Sequence, residues 1–321
     1  MSKYRNALPQ LNSRDVFITD GGIETDLIFH HGQELPSFAS FVLLQDEKGS
    51  EALRNYFRGY AEIARNEKVG LILEAATWRS NPDWGKQLGY SESDLEEINR
   101  KAIDMLSEFR KEYETEDTKV VISGCLGPRG DGYSPSNVMS AKEAEKYHSV
   151  QIATFSKTEA DLVTAITMNY VEEAIGIAQA AKSIGMPVVI SFTVETDGKL
   201  PTGQTLKDAI EQVDKETGNY PAYYMINCAH PSHFADVLES GEAWVERIGG
   251  VRANASKKSH EELDFSVELD EGNPAELGQD YIVLFDKLKN LNVLGGCCGT
   301  DSRHIAEICK TALGHRNRVV A

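Results

Sequence analysis

A single (β/α)8 barrel is the fold class that this 321-residue chain predicts, and three observations predict it. Short β-branched runs alternate with longer amphipathic patterns, the signature of a parallel sheet with crossover helices. Eight such runs can be counted, and several are apolar almost without a break, as strands covered on both faces must be. The turn after the first run reads DGGIETD, without the G-x-G-x-x-G that an open dinucleotide-binding sheet would carry there.

The strands follow in order. They are VFITD ending at Asp20, VGLILEA from Val69, KVVISG from Lys119 and DLVTAIT from Asp161. PVVISFT from Pro187, AYYMIN from Ala222, IGGVRA from Ile248 and NVLGG from Asn292 complete the set. The helices between them have recognisable starts. Ser91 caps a run that puts Leu95, Ile98, Ala102, Met105, Leu106 and Phe109 on one face at helical spacing. Ser140 and Glu143 have capping-box spacing, in which each side chain satisfies the other's free amide. Pro274 sits in a first turn, where its missing N–H costs nothing. Asp301 caps the last helix, whose apolar face takes Cys309 with Ile305 and Ile308. His30 and His31 read as exposed helix, and the polar stretch 254–273 as a loop over one barrel face. With no internal repeat, low-complexity tract or linker, residues 1–321 form one domain.

Thirty-three basic residues against 50 acidic ones leave a net charge of −17. That sign argues against nucleic acid or an anionic membrane as partner and suits a cationic small ligand, although acidity also serves solubility. The first fifteen residues lack a signal peptide's apolar core, and no run approaches the ~18–20 apolar residues of a membrane span. The expectation is a soluble, cytoplasmic protein; its oligomeric state is not written in any pattern. Five cysteines do not make a disulfide framework in a chain this long, so their clustering suggests metal or catalysis.

Barrel active sites form at the C-terminal strand ends. There the first strand carries Asp20, Gly21 and Gly22, the sixth Asn227, Cys228 and His230, and the eighth the run GGCCG with Cys297 and Cys298. The sixth and eighth strands lie two apart, so Cys228 can approach the adjacent pair at the barrel mouth. Three thiolates suit zinc, which takes about four N or S ligands and in catalytic sites leaves one position open. On spacing alone, three packed, inert cysteines remain the alternative. His230 reads as a capping residue, and Cys125 as either a cavity residue or packing.

Taken together, DGGIETDL, SGCLGPRGD, PVVISFTVETDGKLPTGQ, INCAHP and GGCCGTDSRHI resemble the homocysteine S-methyltransferase family, in order and over nearly the whole chain. The resemblance implies a (β/α)8 barrel in which Cys228, Cys297 and Cys298 ligate a catalytic zinc. It implies that Asp20 and Gly21 help to hold the amino-acid acceptor, with Asn227 directly preceding the first zinc cysteine. The family's reaction moves a methyl group from a cationic sulfonium or betaine-type donor to the homocysteine thiol, giving methionine; S-methylmethionine is the donor that the resemblance favours. The chemistry is physically consistent, because a thiol of pKa about 8.5 reacts only as thiolate and zinc coordination deprotonates it.

One segment departs from the family. TAITMNY puts Ile166 where a glutamate commonly binds the acceptor's amino group, with Thr167 matching the threonine beside it. Either Glu74 or Glu195 substitutes, or the acceptor is a different thiol; a zinc- and thiol-binding barrel without catalysis is a further alternative. Trp78 and Trp84 are candidates for lining the donor pocket.

Overall fold

Phe17–Ile18 (β1) pairs with Gly70–Glu74 (β2) on one side and with Val293–Gly296 (β8) on the other, and this double pairing closes the sheet. The remaining strands are Val120–Leu126 (β3), Leu162–Met168 (β4), Val188–Thr193 (β5), Tyr224–Asn227 (β6) and Ile248–Ala253 (β7). All neighbours run parallel, in the order β1 to β8 around a closed barrel. The computed structural model describes residues 2–13, 15–136 and 138–320, the side chains of 316–320 excepted.

Two apolar layers hold the barrel. The larger lies between strands and helices, where Leu95, Ile98, Ala102, Met105, Leu106 and Phe109 of helix Glu92–Tyr113 are all buried at the predicted spacing. The smaller fills the barrel interior with Phe17, Ile72, Val121, Leu162, Val189, Met225 and Val293, and Leu8 joins it from the N-terminal segment. Ile166 and Cys125 belong to the same interior cluster, so the cavity above rests directly on it.

The helix starts follow the expected chemistry. Ser91 forms a complete capping box with Asp94, and Ser140 forms one with Glu143. Pro274 opens helix Pro274–Lys287, and Asp301 Oδ1 accepts the Arg303 amide at the start of Ser302–Val320. Cys309 is buried with Ile305 and Ile308.

Three expectations need correction. β1 is a two-residue ladder, yet Thr19 still donates to the Leu294 carbonyl and Gly296 to that of Asp20, so the strand's path continues to the site without full pairing. The polar stretch 254–273 is not simply a loop: Ser259 and Glu262 form a capping box that starts a short helix, His260–Asp264. Helix Ile23–Phe29 ends at His30, whose Nε2 lies 2.7 Å from Glu271 Oε1 and whose Nδ1 lies 3.1 Å from Asp26, because the 254–273 segment folds back against it. Among the described residues, no helix is long and apolar enough to cross a membrane.

Replacing Ser140 by Ala removes one half of a capping box on a helix that packs against the barrel. The expected cost is about 1 kcal/mol, seen by calorimetry as a melting point lower by a few degrees, with Ser140→Thr close to the parent.

Candidate functional site

The C-terminal ends of the strands surround a cavity of about 360 Å3, a size suited to a small molecule. Its lining includes Asp20, Gly21, Glu74, Ile166, Thr167, Cys228, Cys297 and Cys298, and thus brings most of the sequence-predicted residues together. Asn227 is buried directly beneath, bonded to Thr167. Glu195 is not among the lining residues. Its carboxylate is 3.2 Å from His260 Nδ1, and His260 Nε2 reaches the Cys228 carbonyl, so Glu195 bears on the cysteine only through a histidine.

The sulfurs of Cys228, Cys297 and Cys298 all lie within 4.8 Å of one another. Cys228 and Cys298 Sγ are 3.9 Å apart, close to the roughly 3.8 Å edge of a tetrahedron with 2.3 Å zinc–sulfur bonds. Cys228 and Cys297 have their Cα atoms 5.4 Å apart, which brings their two sulfurs side by side next to that of Cys298. Burial pushes the Cys298 thiol up to about 11, so a thiolate is favoured here only when positive charge is supplied. Tyr133 donates to Cys228 Sγ at 3.3 Å, lies 3.7 Å from Cys298 Sγ, and packs its ring 4.3 Å from that of His260. Donor type, convergence and spacing all fit a metal held by three cysteines.

The backbone around the cysteines is specialised. Cys228 has φ 53° and Thr167 has φ 64°, a region that non-glycine residues, and β-branched ones above all, rarely enter. Asn227 spans the two. Its Oδ1 accepts the Thr167 amide at 3.0 Å and the Ser191 hydroxyl at 2.6 Å, while its Nδ2 donates to Thr167 Oγ1 at 2.9 Å and lies 3.9 Å from Cys297 Sγ. The β4–β5 register shifts between Ala165 and Met168, a bulge that lets the consecutive residues Ile166 and Thr167 both face the cavity. In GGCCG, only Gly299 has positive φ, at 78°. Gly295 and Gly296 serve packing instead, since a Cβ on either would run into Thr19 or Thr300.

Polar groups flank the sulfurs. Arg252, on β7, donates Nη2 to Asp20 Oδ1 at 2.7 Å and to the Gly21 carbonyl at 3.2 Å, and Nε to the Gly296 carbonyl at 3.1 Å. Tyr56 donates to the other Asp20 oxygen at 3.0 Å. Glu74 is 5% exposed and its Oε2 has no partner; burial raises its carboxyl to about 7, opposed by the Arg252 charge. Burial also raises Glu24, in DGGIETD, to about 7, against a hydrogen bond from Ser40. Ile166 contributes only an apolar wall.

Trp78 lines the cavity and Trp84 does not, and one face of each ring is taken by a cation. The Arg79 guanidinium lies over both rings, 3.9 and 4.0 Å from their centroids. His230 caps the short helix Pro231–Phe234, accepting the Ser232 amide, and its Nε2 lies 3.3 Å from Asp280 Oδ2. Cys125 lines the cavity with a thiol held strongly protonated by burial.

Sequence reasoning missed several cavity residues, four of them close to the site's chemistry. Arg252 announces itself as a charge inside the apolar strand IGGVRA, and Arg79 as a cation between two tryptophans in TWRSNPDW. Glu24 and Tyr133 carry no comparable local signal.

Comparison with known proteins gives a consistent result. Residues 17–312 match the family model described as homocysteine S-methyltransferase. The homocysteine methyltransferase MmuM of Escherichia coli, in its metallated form, superposes with a TM-score of 0.74 at 17% identity, covering 94% of this chain and 97% of that one. Its oxidized form gives the same score and identity over 95% and 99%, and its apo form a TM-score of 0.67 at 17% identity over 94% and 97%.

Two stability measurements test this reading of the cavity. Glu74 keeps in the folded state a proton that the unfolded chain releases at ordinary carboxyl pH. Its contribution therefore favours folding at low pH and is lost as pH rises through about 7. Glu74→Gln, neutral throughout, is expected to melt a few degrees above the parent at about pH 8 and to gain much less at about pH 5. Arg252→Met should cost about 3–5 kcal/mol in denaturant titration, because it leaves the Asp20 carboxylate buried without its cation.

Proposed function

The chain belongs to the homocysteine S-methyltransferase family, and from that premise we propose that it methylates a small thiol, homocysteine foremost, at a zinc site formed by Cys228, Cys297 and Cys298. The observation that carries the proposal is the convergence of those three sulfurs at the mouth of the barrel. Bound zinc would supply a substrate thiol held as thiolate at neutral pH.

The chain's own residues supply the rest. Tyr133 donates to Cys228, and Asn227 lies against Cys297, so the sulfur cluster is oriented by neutral hydrogen bonds rather than by cations. The cavity lining holds Asp20, Glu24, Glu74, Asp131, Asp264, Glu268 and Asp270 against Arg79 and Arg252, an excess of acidic groups that supports a cationic donor. In transfer, a new sulfur–carbon bond forms as the donor's bond to its sulfonium or ammonium centre breaks. The electron pair stays with the donor, which leaves neutral, and the thiol proton has already gone to solvent. S-methylmethionine is the first donor to test, betaine the second. The 254–273 segment, which reaches the rim with Leu263, Asp264 and Leu269, helps to exclude water from the reacting sulfur.

Ile166 favours a second reading, a thiol acceptor other than homocysteine, because an apolar side chain cannot pair with an ammonium.

The test is a mass-spectrometric screen of reduced, zinc-loaded protein, crossing sulfonium and betaine-type donors with several thiols. Methylated thiol and about one zinc per chain are expected. Cys298→Ala should lose both the metal and turnover. Full activity in protein stripped of metal would overturn the proposal, and turnover confined to thiols without an amino group would favour the second reading.

A further inference from the structure

Among the described residues, three arginines are buried to the same degree: Arg79, Arg110 and Arg252 are each 6% exposed. Two of them have a buried carboxylate as partner, Asp161 for Arg110 and Asp20 for Arg252. Arg79 has none; among the described residues no carboxylate lies within 4.0 Å of it. Its Nη1 donates to the Gly130 carbonyl at 3.0 Å, its Nε has no partner, and its faces are covered by Trp78 and Trp84. Asp131, whose charge it feels, already accepts the Tyr133 and Ser134 amides with Oδ1 at 2.8 and 2.9 Å. A desolvated guanidinium without a counterion is costly, and a planar fork stacked between rings is prepared for a carboxylate.

Glu24 faces the same cavity. It accepts from Ser40 at 2.8 Å and, like Arg79, forms no ion pair among the described residues. Glu24 and Arg79 line one cavity without pairing with each other. An α-amino acid carries its carboxylate and ammonium on one carbon, and so fits between two such groups. Cys228, Cys297 and Cys298 line the same cavity, so a head group held by Glu24 and Arg79 shares it with the sulfur cluster. Glu74 is less suited, because it comes from β2 itself, whereas Arg79 and Glu24 come from the segments after β2 and β1.

We propose that Arg79 and Glu24 together form the receptor for the head group of an α-amino-acid acceptor, Arg79 taking the carboxylate and Glu24 the ammonium. This deepens the methyltransferase reading: recognition is displaced from the β4 position, now Ile166, to the loops after β1 and β2.

Calorimetric binding to reduced, zinc-loaded protein tests it without any turnover. The ligands are methionine, 3-(methylthio)propylamine, which lacks the carboxylate, and 4-(methylthio)butanoate, which lacks the ammonium. The parent should bind methionine about tenfold or more tighter than either fragment. Arg79→Gln should lose that advantage over the amine while binding the amine as the parent does. Glu24→Gln should do the same relative to the acid. Arg79→Lys, which keeps the charge and loses the fork, should fall between.

The proposal is overturned if the parent shows no preference for methionine, if both variants bind methionine unchanged, or if all three ligands weaken together. It is also overturned if Arg79→Gln weakens S-methylmethionine but not methionine, with trimethylsulfonium unaffected, since the receptor would then belong to the donor. Because no methyl transfer is measured, an inactive parent in the donor screen and a failed head-group receptor give separate results.

Discussion

The guanidinium of Arg252 is the constraint on which the mouth of this barrel depends. From β7 it bonds the Asp20 carboxylate and Gly21 carbonyl after β1 and the Gly296 carbonyl at the end of β8. β1 contributes only a two-residue ladder to barrel closure, so the cation does at the top what regular pairing does lower down. Cys297 follows Gly296 directly, and its position therefore inherits this anchorage. The arrangement works because each buried charge meets an opposite one at hydrogen-bond distance; without that geometry, desolvation would outweigh the attraction.

A second layer of control runs through Asn227. One amide side chain secures the left-handed Thr167 of β4 and lies against Cys297, while its own backbone leads into the left-handed Cys228. Conformations of this kind persist only when surrounding bonds over-determine them. The wall of the cavity and the sulfur cluster are thus parts of one network, and a change at Thr167 would be felt at the cysteines. Ile166, by contrast, is held by packing in the barrel's interior cluster, and its carbonyl accepts the Trp78 indole N–H at 3.2 Å.

Much of this was legible in the sequence. Apolar runs and capping boxes located the strands and helix starts to within a few residues, because they report local periodicity and backbone satisfaction. Barrel closure brought Cys228 to Cys297 and Cys298, as counting strands suggested. What periodicity cannot report is which side chain a charged group selects after folding. Glu195 reads as a site glutamate from its place after β5, but His260, brought in by the 254–273 segment, captures it. Two of the glycines in GGCCG make room for Thr19 and Thr300, neighbours that the run itself does not announce. The bulge at Ile166–Thr167 leaves no signature, since its cause is an asparagine sixty residues on.

The stack of Trp78, Arg79 and Trp84 has an optical consequence. The chain contains three tryptophans, and the third, Trp244, is buried elsewhere, near the 3-10 turn Val245–Arg247. Two of the three indoles therefore share a single guanidinium at the edge of the cavity. Any event that shifts that cation or its field perturbs most of the molecule's intrinsic emission, so the protein carries its own spectroscopic reporter, placed where ligands arrive and needing no label.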